Sequence, residues 1–240
     1  MLFKEDLHSV IRVFIMLVAV GYAAGVFAEL SDATGHLRFY VETSSGEPLK
    51  DAVITLTEGE HEIEPPVHTH IMDQIHSQFV PHVLAIRAGD LVEFPNSDNI
   101  RHHVYSFSEA KPFEIRLYAN KPEAPVNFAT PGLVVLGCNI HDQMLGYIYV
   151  SAKSDLSVVT DERGYASVNT TGSVTGVSLW HERLSVDESF QKVLNLQEIR
   201  ALRNKEGVYV ITVDPEIPAS VHTHRATPDP SPGFGNSMRR

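Results

Sequence analysis

The chain has 240 residues, enough for one or two compact domains, and its 43% hydrophobic content suits a chain that mostly folds. A formal net charge of −11 argues against nucleic acid or anionic lipid as partners and favours a basic protein surface. The single cysteine excludes any intramolecular disulfide.

Lys4 and Arg12 precede the unbroken apolar run 13–20, and small residues lead to Val26-Phe27-Ala28, a cleavage site before Glu29. The run is short for a membrane span. Residues 1–28 therefore read as a signal peptide, giving a periplasmic or exported protein with no stable membrane association after cleavage. An uncleaved N-terminal anchor is the alternative, because Glu5 and Asp6 weaken the basic start. In an oxidising compartment an unpaired cysteine needs a reason. Metal ligation is the most economical one, and a buried inert thiol is the plain alternative.

Residues 36–41 and 52–56 read as a hairpin around the turn 44–48. The polar connector 58–66 ends in Pro65-Pro66, which rejects helix and sheet and marks a boundary. Val67-His68-Thr69-His70 beyond it recurs as Val221-His222-Thr223-His224. These pairs, one placed in a linker and one in a tail, are either ordinary surface histidines or a metal-capture device without a fixed third ligand. From 72 to 151 short strands alternate with turns such as Ala88-Gly89-Asp90 and Thr130-Pro131-Gly132, a sandwich or barrel pattern. A second β region spans 156–214, with strands at 157–160, 165–168, 177–181, 190–196 and 208–213; 196–203 fits a helical turn or two equally well. Residues 215–240 have little to bury and read as a disordered tail. Helical periodicity is scarcely visible, so the fold class is all-β.

Gly137-Cys138-Asn139-Ile140-His141-Asp142-Gln143-Met144 puts a thiolate, an imidazole and a thioether on one short loop. These are soft donors that suit copper in both oxidation states. Upstream, His102-His103 opens a strand. Two His and one Cys in a plane with a long axial Met make a blue-copper electron-transfer site. Neighbours on a strand face opposite sides, so His102 and His103 are alternatives for the second imidazole. His36, His61, His76, His82 and His181 read as surface or partly buried polar residues, with His76 and His82 flanking Phe79-Val80-Pro81. Bond-breaking catalysis needs an open coordination position or a base near a substrate, and the motifs offer neither.

Over residues 70–151 these motifs resemble the cupredoxin family: Phe79-x-Pro81, Ala88-Gly89-Asp90-Leu91-Val92-Glu93-Phe94, His102-His103-Val104 and Cys138-x-x-His141-x-x-Met144. The gap between His141 and Met144 is similar to that of amicyanin rather than plastocyanin, and the Gly-Cys-Asn-Ile-His-Asp run resembles exported methylamine utilization proteins. The resemblance implies a cupredoxin-like Greek-key β-sandwich and one type 1 copper ion. Its ligands would be His102 (His103 as alternative, where the family has Asn), Cys138, His141 and Met144. It implies a single-electron carrier rather than an enzyme, serving a periplasmic dehydrogenase or cytochrome c with a basic surface. The exposed edge of His141, ringed by Met144 and Leu145, is the expected electron port. Asp142 departs from the family pattern and is expected to lower the potential. Residues 35–64 and 152–214 resemble two halves of a carboxypeptidase-regulatory-like or transthyretin-like sandwich, through Gly46-Glu47-Pro48-Leu49-Lys50-Asp51-Ala52 and Thr160-Asp161-Glu162-Arg163-Gly164-Tyr165. That likeness implies a second, small and discontinuous β-sandwich into which the copper domain is inserted; two unrelated β-segments are the alternative. Two further readings stand beside the electron carrier. One is a copper-handling or structural module without a redox partner. The other is a multicopper oxidase fragment, which needs another His-x-His cluster on adjoining strands.

Overall fold

The computed structural model describes residues 35–58, 65–120, 124–170, 173–184 and 192–214. The expected signal peptide, the tail, His61 and the His222/His224 pair lie outside the described residues. Among the described residues there are seventeen strands and one short helix, so the chain is all-β. No helix there is long and apolar enough to cross a membrane.

In chain order, β1 (His36–Thr43) and β2 (Val53–Glu58) come first. Then follow β3 (Thr69–Ile71), β4 (Asp73–Ile75), β5 (Gln78–Val80), β6 (Val83–Arg87), β7 (Leu91–Glu93) and β8 (His102–Ser106). Next are β9 (Phe113–Tyr118), β10 (Val126–Asn127), β11 (Gly132–Cys138) and β12 (His141–Ser151). The last are β13 (Asp155–Val159), β14 (Tyr165–Asn169), β15 (Val174–Trp180), β16 (Lys192–Leu194), α1 (Leu196–Ala201) and β17 (Val208–Val213).

One core is built from both ends of this order. β1 buries Leu37, Phe39 and Val41 at alternate positions, as a strand with one covered face does. It lies between β14, antiparallel, and β17, parallel. β2 is buried at nearly every position and sits between β13 and β15 in a four-stranded sheet. The expected hairpin is therefore corrected: β1 and β2 belong to different sheets. The turn after β1 closes on itself, with the Thr43 N–H donating to the Glu47 carbonyl and the Leu49 N–H to the Val41 carbonyl, and the chain then crosses to the other layer. The two layers share Phe39, Ile54, Leu56, Leu179, Tyr209 and Ile211 as buried core. α1 begins on a capping box between Asn195 and Glu198 and buries Ile199 against the same core.

The second core uses the middle of the chain. A five-stranded sheet, β6-β12-β11-β8-β9, shares buried Met72, Phe79, Phe94, Val104, Phe128 and Ile148 with β10-β7-β3 and the hairpin β4-β5. β12 is buried on both sides along most of its length. Met144, Ile148 and Val150 enter this core, whereas Tyr147 and Tyr149 pack with Val53, Val83, Leu133 and Trp180 in a third cluster joining the two sandwiches. Gly146 lets β12 lie against Phe79: a Cβ there would stand 2.8 Å from the Phe79 Cβ. Gly146→Ala is expected to destabilise the protein by about 1–3 kcal/mol, as overpacking does, read as a lower urea midpoint at unchanged slope.

Candidate metal centre

β11 and β12 form the hairpin that carries three of the predicted ligands, Cys138, His141 and Met144. Their register runs regularly from Gly132↔Val150 to Gly137↔Leu145, then shifts, leaving Cys138 opposite His141. Such a bulge re-aims side chains at the end of a ladder. β8 pairs with β11 through Tyr105↔Gly137, which brings His102 alongside. The Tyr105 ring occupies the space a side chain at Gly137 would fill, 2.8 Å from an added Cβ. A glycine therefore precedes the cysteine because an aromatic from the neighbouring strand lies across it.

The Cys138 Sγ stands 3.7 Å from His102 Nδ1 and 3.8 Å from His141 Nδ1. The three donor atoms lie within 4.8 Å of one another, and the imidazole centroids are 5.0 Å apart. A cation with nitrogen at about 2.0 Å and sulfur at about 2.3 Å, in a trigonal plane, holds sulfur and nitrogen about 3.7 Å apart, so both sulfur–nitrogen separations suit a bound metal. Cys138 and His102 are buried and His141 is partly exposed. Among the described residues this is the one set of three or more His, Cys, Asp or Glu donors so placed.

Met144 is 1% exposed and shares the apolar core with Cys138. It therefore does not belong to an apolar surface ring around His141, which corrects that expectation. Alternation along β12 turns it inward with Ile148. His141 opens instead onto a cleft whose walls include His76, Ser77, Gln78, Asp142 and Gln143, with Met144 among its lining. Leu145 and Ile140 remain exposed nearby in sequence. His103 lies apart from the donor set: its Nε2 is 3.0 Å from Glu114 Oε1 and its ring packs on Tyr105.

Asp98 was not singled out in the sequence, yet it holds the site together. Its Oδ2 is 2.7 Å from His102 Nε2, and its carboxylate accepts the N–H groups of His76 and Ser77 at 2.7 and 2.9 Å. A carboxylate on the far nitrogen fixes the ring so that Nδ1 faces the sulfur. Burial pushes the Asp98 carboxyl up, but the Ser77 amide, the His102 ring and the His76 amide outweigh it and hold it below the ordinary value. Asn96 orders the same loop by accepting the Asp98 N–H and donating to the Ile100 and Tyr118 carbonyls. Tyr118, bonded to the Phe94 carbonyl and to Gln74, is pushed up to about 12, chiefly by burial.

Other histidines are engaged elsewhere. His70 lies on β3 rather than in a linker, a correction, with Nε2 2.9 Å from Asp90 Oδ2; Asp90 also accepts the His68 and Arg87 N–H groups. The buried Asp90 carboxylate needs those donors, which is why this stretch is ordered. His82 pairs with Glu182. His181 is buried, donating from Nε2 to the Lys50 carbonyl and accepting the Arg183 N–H at Nδ1.

No family model matches the chain, and no curated protein sequence matches it. Among solved structures, the chain is similar to a copper-containing nitrite reductase (NirK) from Thermus scotoductus SA-01, at 29% identity and a TM-score of 0.32, covering 39% of this chain and 24% of that one. The chain thus spans about a quarter of the reductase. It is similar to a reduced amicyanin variant at 19% identity and a TM-score of 0.31, covering 34% of this chain and 80% of that one. A purple cupredoxin from Nitrosopumilus maritimus is similar at 21% identity and a TM-score of 0.30, covering 34% of this chain and 96% of that one.

Proposed function

We propose that the chain is a type 1 copper protein of cupredoxin type that passes single electrons. His102, Cys138 and His141 would hold one copper ion, with the Met144 thioether as a further donor. The carrying observation is one sulfur with two imidazole nitrogens at 3.7 and 3.8 Å, held on paired strands. When bound, copper supplies a one-electron couple, and this donor set suits both of its oxidation states. The protein's residues do the rest. Asp98 keeps the His102 proton on Nε2, away from the sulfur. The apolar core around Cys138 and Met144 excludes water, and the partly exposed His141 is the electron port, reached through its cleft. We further place the protein in the periplasm after removal of residues 1–28. Residues 70–151 are the copper domain, inserted into a discontinuous sandwich of 35–64 and 152–214.

The test is a visible spectrum of copper-loaded protein beside Cys138→Ser. The wild type is expected to show an intense thiolate-to-copper band that bleaches on reduction and returns on oxidation, and the variant to show none. A colourless wild type, or one that does not cycle, favours the copper-handling reading. The partner we propose is a cytochrome c or dehydrogenase with a basic surface, since the chain carries a net charge of −11. Electron transfer to a basic cytochrome c is then expected to slow as ionic strength rises from about 0.01 M to about 0.15 M, where the screening length falls from roughly 30 to roughly 8 Å. A rate indifferent to salt removes the steering argument.

A further inference from the structure

The junction between the sandwiches holds a second group of titratable side chains. His82, between β5 and β6, places Nε2 3.0 Å from Oε2 of Glu182, which follows β15 in the other sandwich. Its ring stands edge-on to Tyr147 of β12, with centroids 5.4 Å apart and planes at 86°. The Tyr147 ring packs on Trp180 with centroids 5.4 Å apart, and burial, helped by the Glu182 charge, pushes the Tyr147 hydroxyl up to about 12. One backbone contact ties His82 to β12: its carbonyl accepts the Tyr147 N–H at 2.9 Å. His82 thus joins a carboxylate of the outer sandwich, through its ring, to the strand that begins at His141, through its carbonyl and its edge-on contact with Tyr147.

The other ionisable groups acting on this imidazole are Asp51, from the turn before β2, and His181, beside Glu182. With both ring nitrogens protonated, His82 forms an ion pair with Glu182 across the junction. A neutral imidazole keeps at most the hydrogen bond and loses the charge that strengthens it. The Glu182 hydrogen bond raises the His82 pKa, against burial, with Asp51 assisting, and Glu182 is lowered by the same bond.

We propose that the His82–Glu182 pair is a proton-dependent joint through which the outer sandwich positions the strand bearing His141 and Met144. The joint itself needs no metal; its effect on the ligand strand rests on the copper reading. His82 acts through Tyr147 and is a positioning residue. Its folded pKa lies above the unfolded one, so the stabilisation is fully present below about 6.5 and is lost as pH rises through the folded value. His181 does not mimic this, because burial moves its titration below the usual histidine range.

Trp180 is the only tryptophan and stands beside the joint, so it reports on the metal-free protein directly. Titrating full-length metal-free protein from about pH 5 to about pH 8 is expected to give a fluorescence transition with a midpoint above about 6.5. That transition should vanish in His82→Gln and should vanish or move to about 6.5 or below in Glu182→Gln. A flat wild-type titration, or a transition that survives in His82→Gln, overturns the joint. In copper-loaded protein the thiolate-to-copper band is expected to shift with the same midpoint in the wild type and to be insensitive to pH in His82→Gln. A fluorescence transition beside a pH-insensitive band overturns the coupling to the ligand strand. If no band forms in the wild type, the copper reading fails and the fluorescence result alone decides the joint.

Discussion

Replacing His102 with alanine is expected to abolish the thiolate-to-copper band, while His103→Ala leaves it intact. The two residues are adjacent, but β8 sends their side chains to opposite faces. His102 is 0% exposed, and its Nδ1 is one of the two nitrogens beside Cys138. His103 is instead paired with the exposed Glu114, an interaction of the kind that contributes about 0.2–1 kcal/mol. Copper affinity in His102→Ala should fall by more than the roughly 10–100-fold that follows loss of a ligand's hydrogen-bonding partner. A copper titration followed by absorbance decides the matter. Colour lost in His103→Ala and kept in His102→Ala would reverse the assignment.

The second large effect is expected from Asp98→Asn. The carboxylate sits against the far nitrogen of His102 and adds negative charge beside the site, which favours the more oxidised metal. A charge at that range shifts a neighbouring pKa by roughly one to three units, and one such unit corresponds to about 59 mV in a one-electron potential. Because Asp98 keeps some contact with solvent, the lower end applies, and the potential should rise on the order of 60 mV. Copper affinity should fall by roughly 10–100-fold, since the amide no longer fixes the ring as firmly. A spectroelectrochemical titration reads the first effect. The metal-free protein supplies an independent readout. Asp98 is held below its ordinary pKa, so its stabilisation is present above about 3.9 and lost as pH falls through the folded value. The Asn variant should show a shallower loss of stability in acid.

The all-β class was legible because alternation at Leu37, Phe39 and Val41 and short apolar runs between turns are local signals. Partner choice was not. Two apolar runs around a polar turn describe a hairpin and a crossing between layers equally well. The distinguishing mark of β2, burial on both faces, lies in its unbroken Val53-Ile54-Thr55-Leu56. At the site, Cys138 and His141 are three residues apart and face each other across one turn, so spacing carried that pairing, whereas His102 is brought from 36 residues away by sheet order. Only the place of Met144 in a ring around the exposed His141 edge fails: counting by twos back from Ile148 turns it inward. Asp98 and Glu182 were invisible for a different reason. Their roles depend on which imidazole nitrogen they meet, and Glu182 meets His82 across 100 residues.

The parallel pairing of β1 with β17 sets an order of assembly. Running from the N-terminus, the chain presents every strand of the sulfur-bearing sheet before the edge strand that completes the first one. Joining β1 to β17 closes a loop that contains the whole of the other sandwich, and long closures are entropically the dearer ones. The inner unit depends only on a contiguous stretch and can finish early. Refolding chains should therefore acquire a protected Cys138 thiol while β1 still lacks β17 as its neighbour.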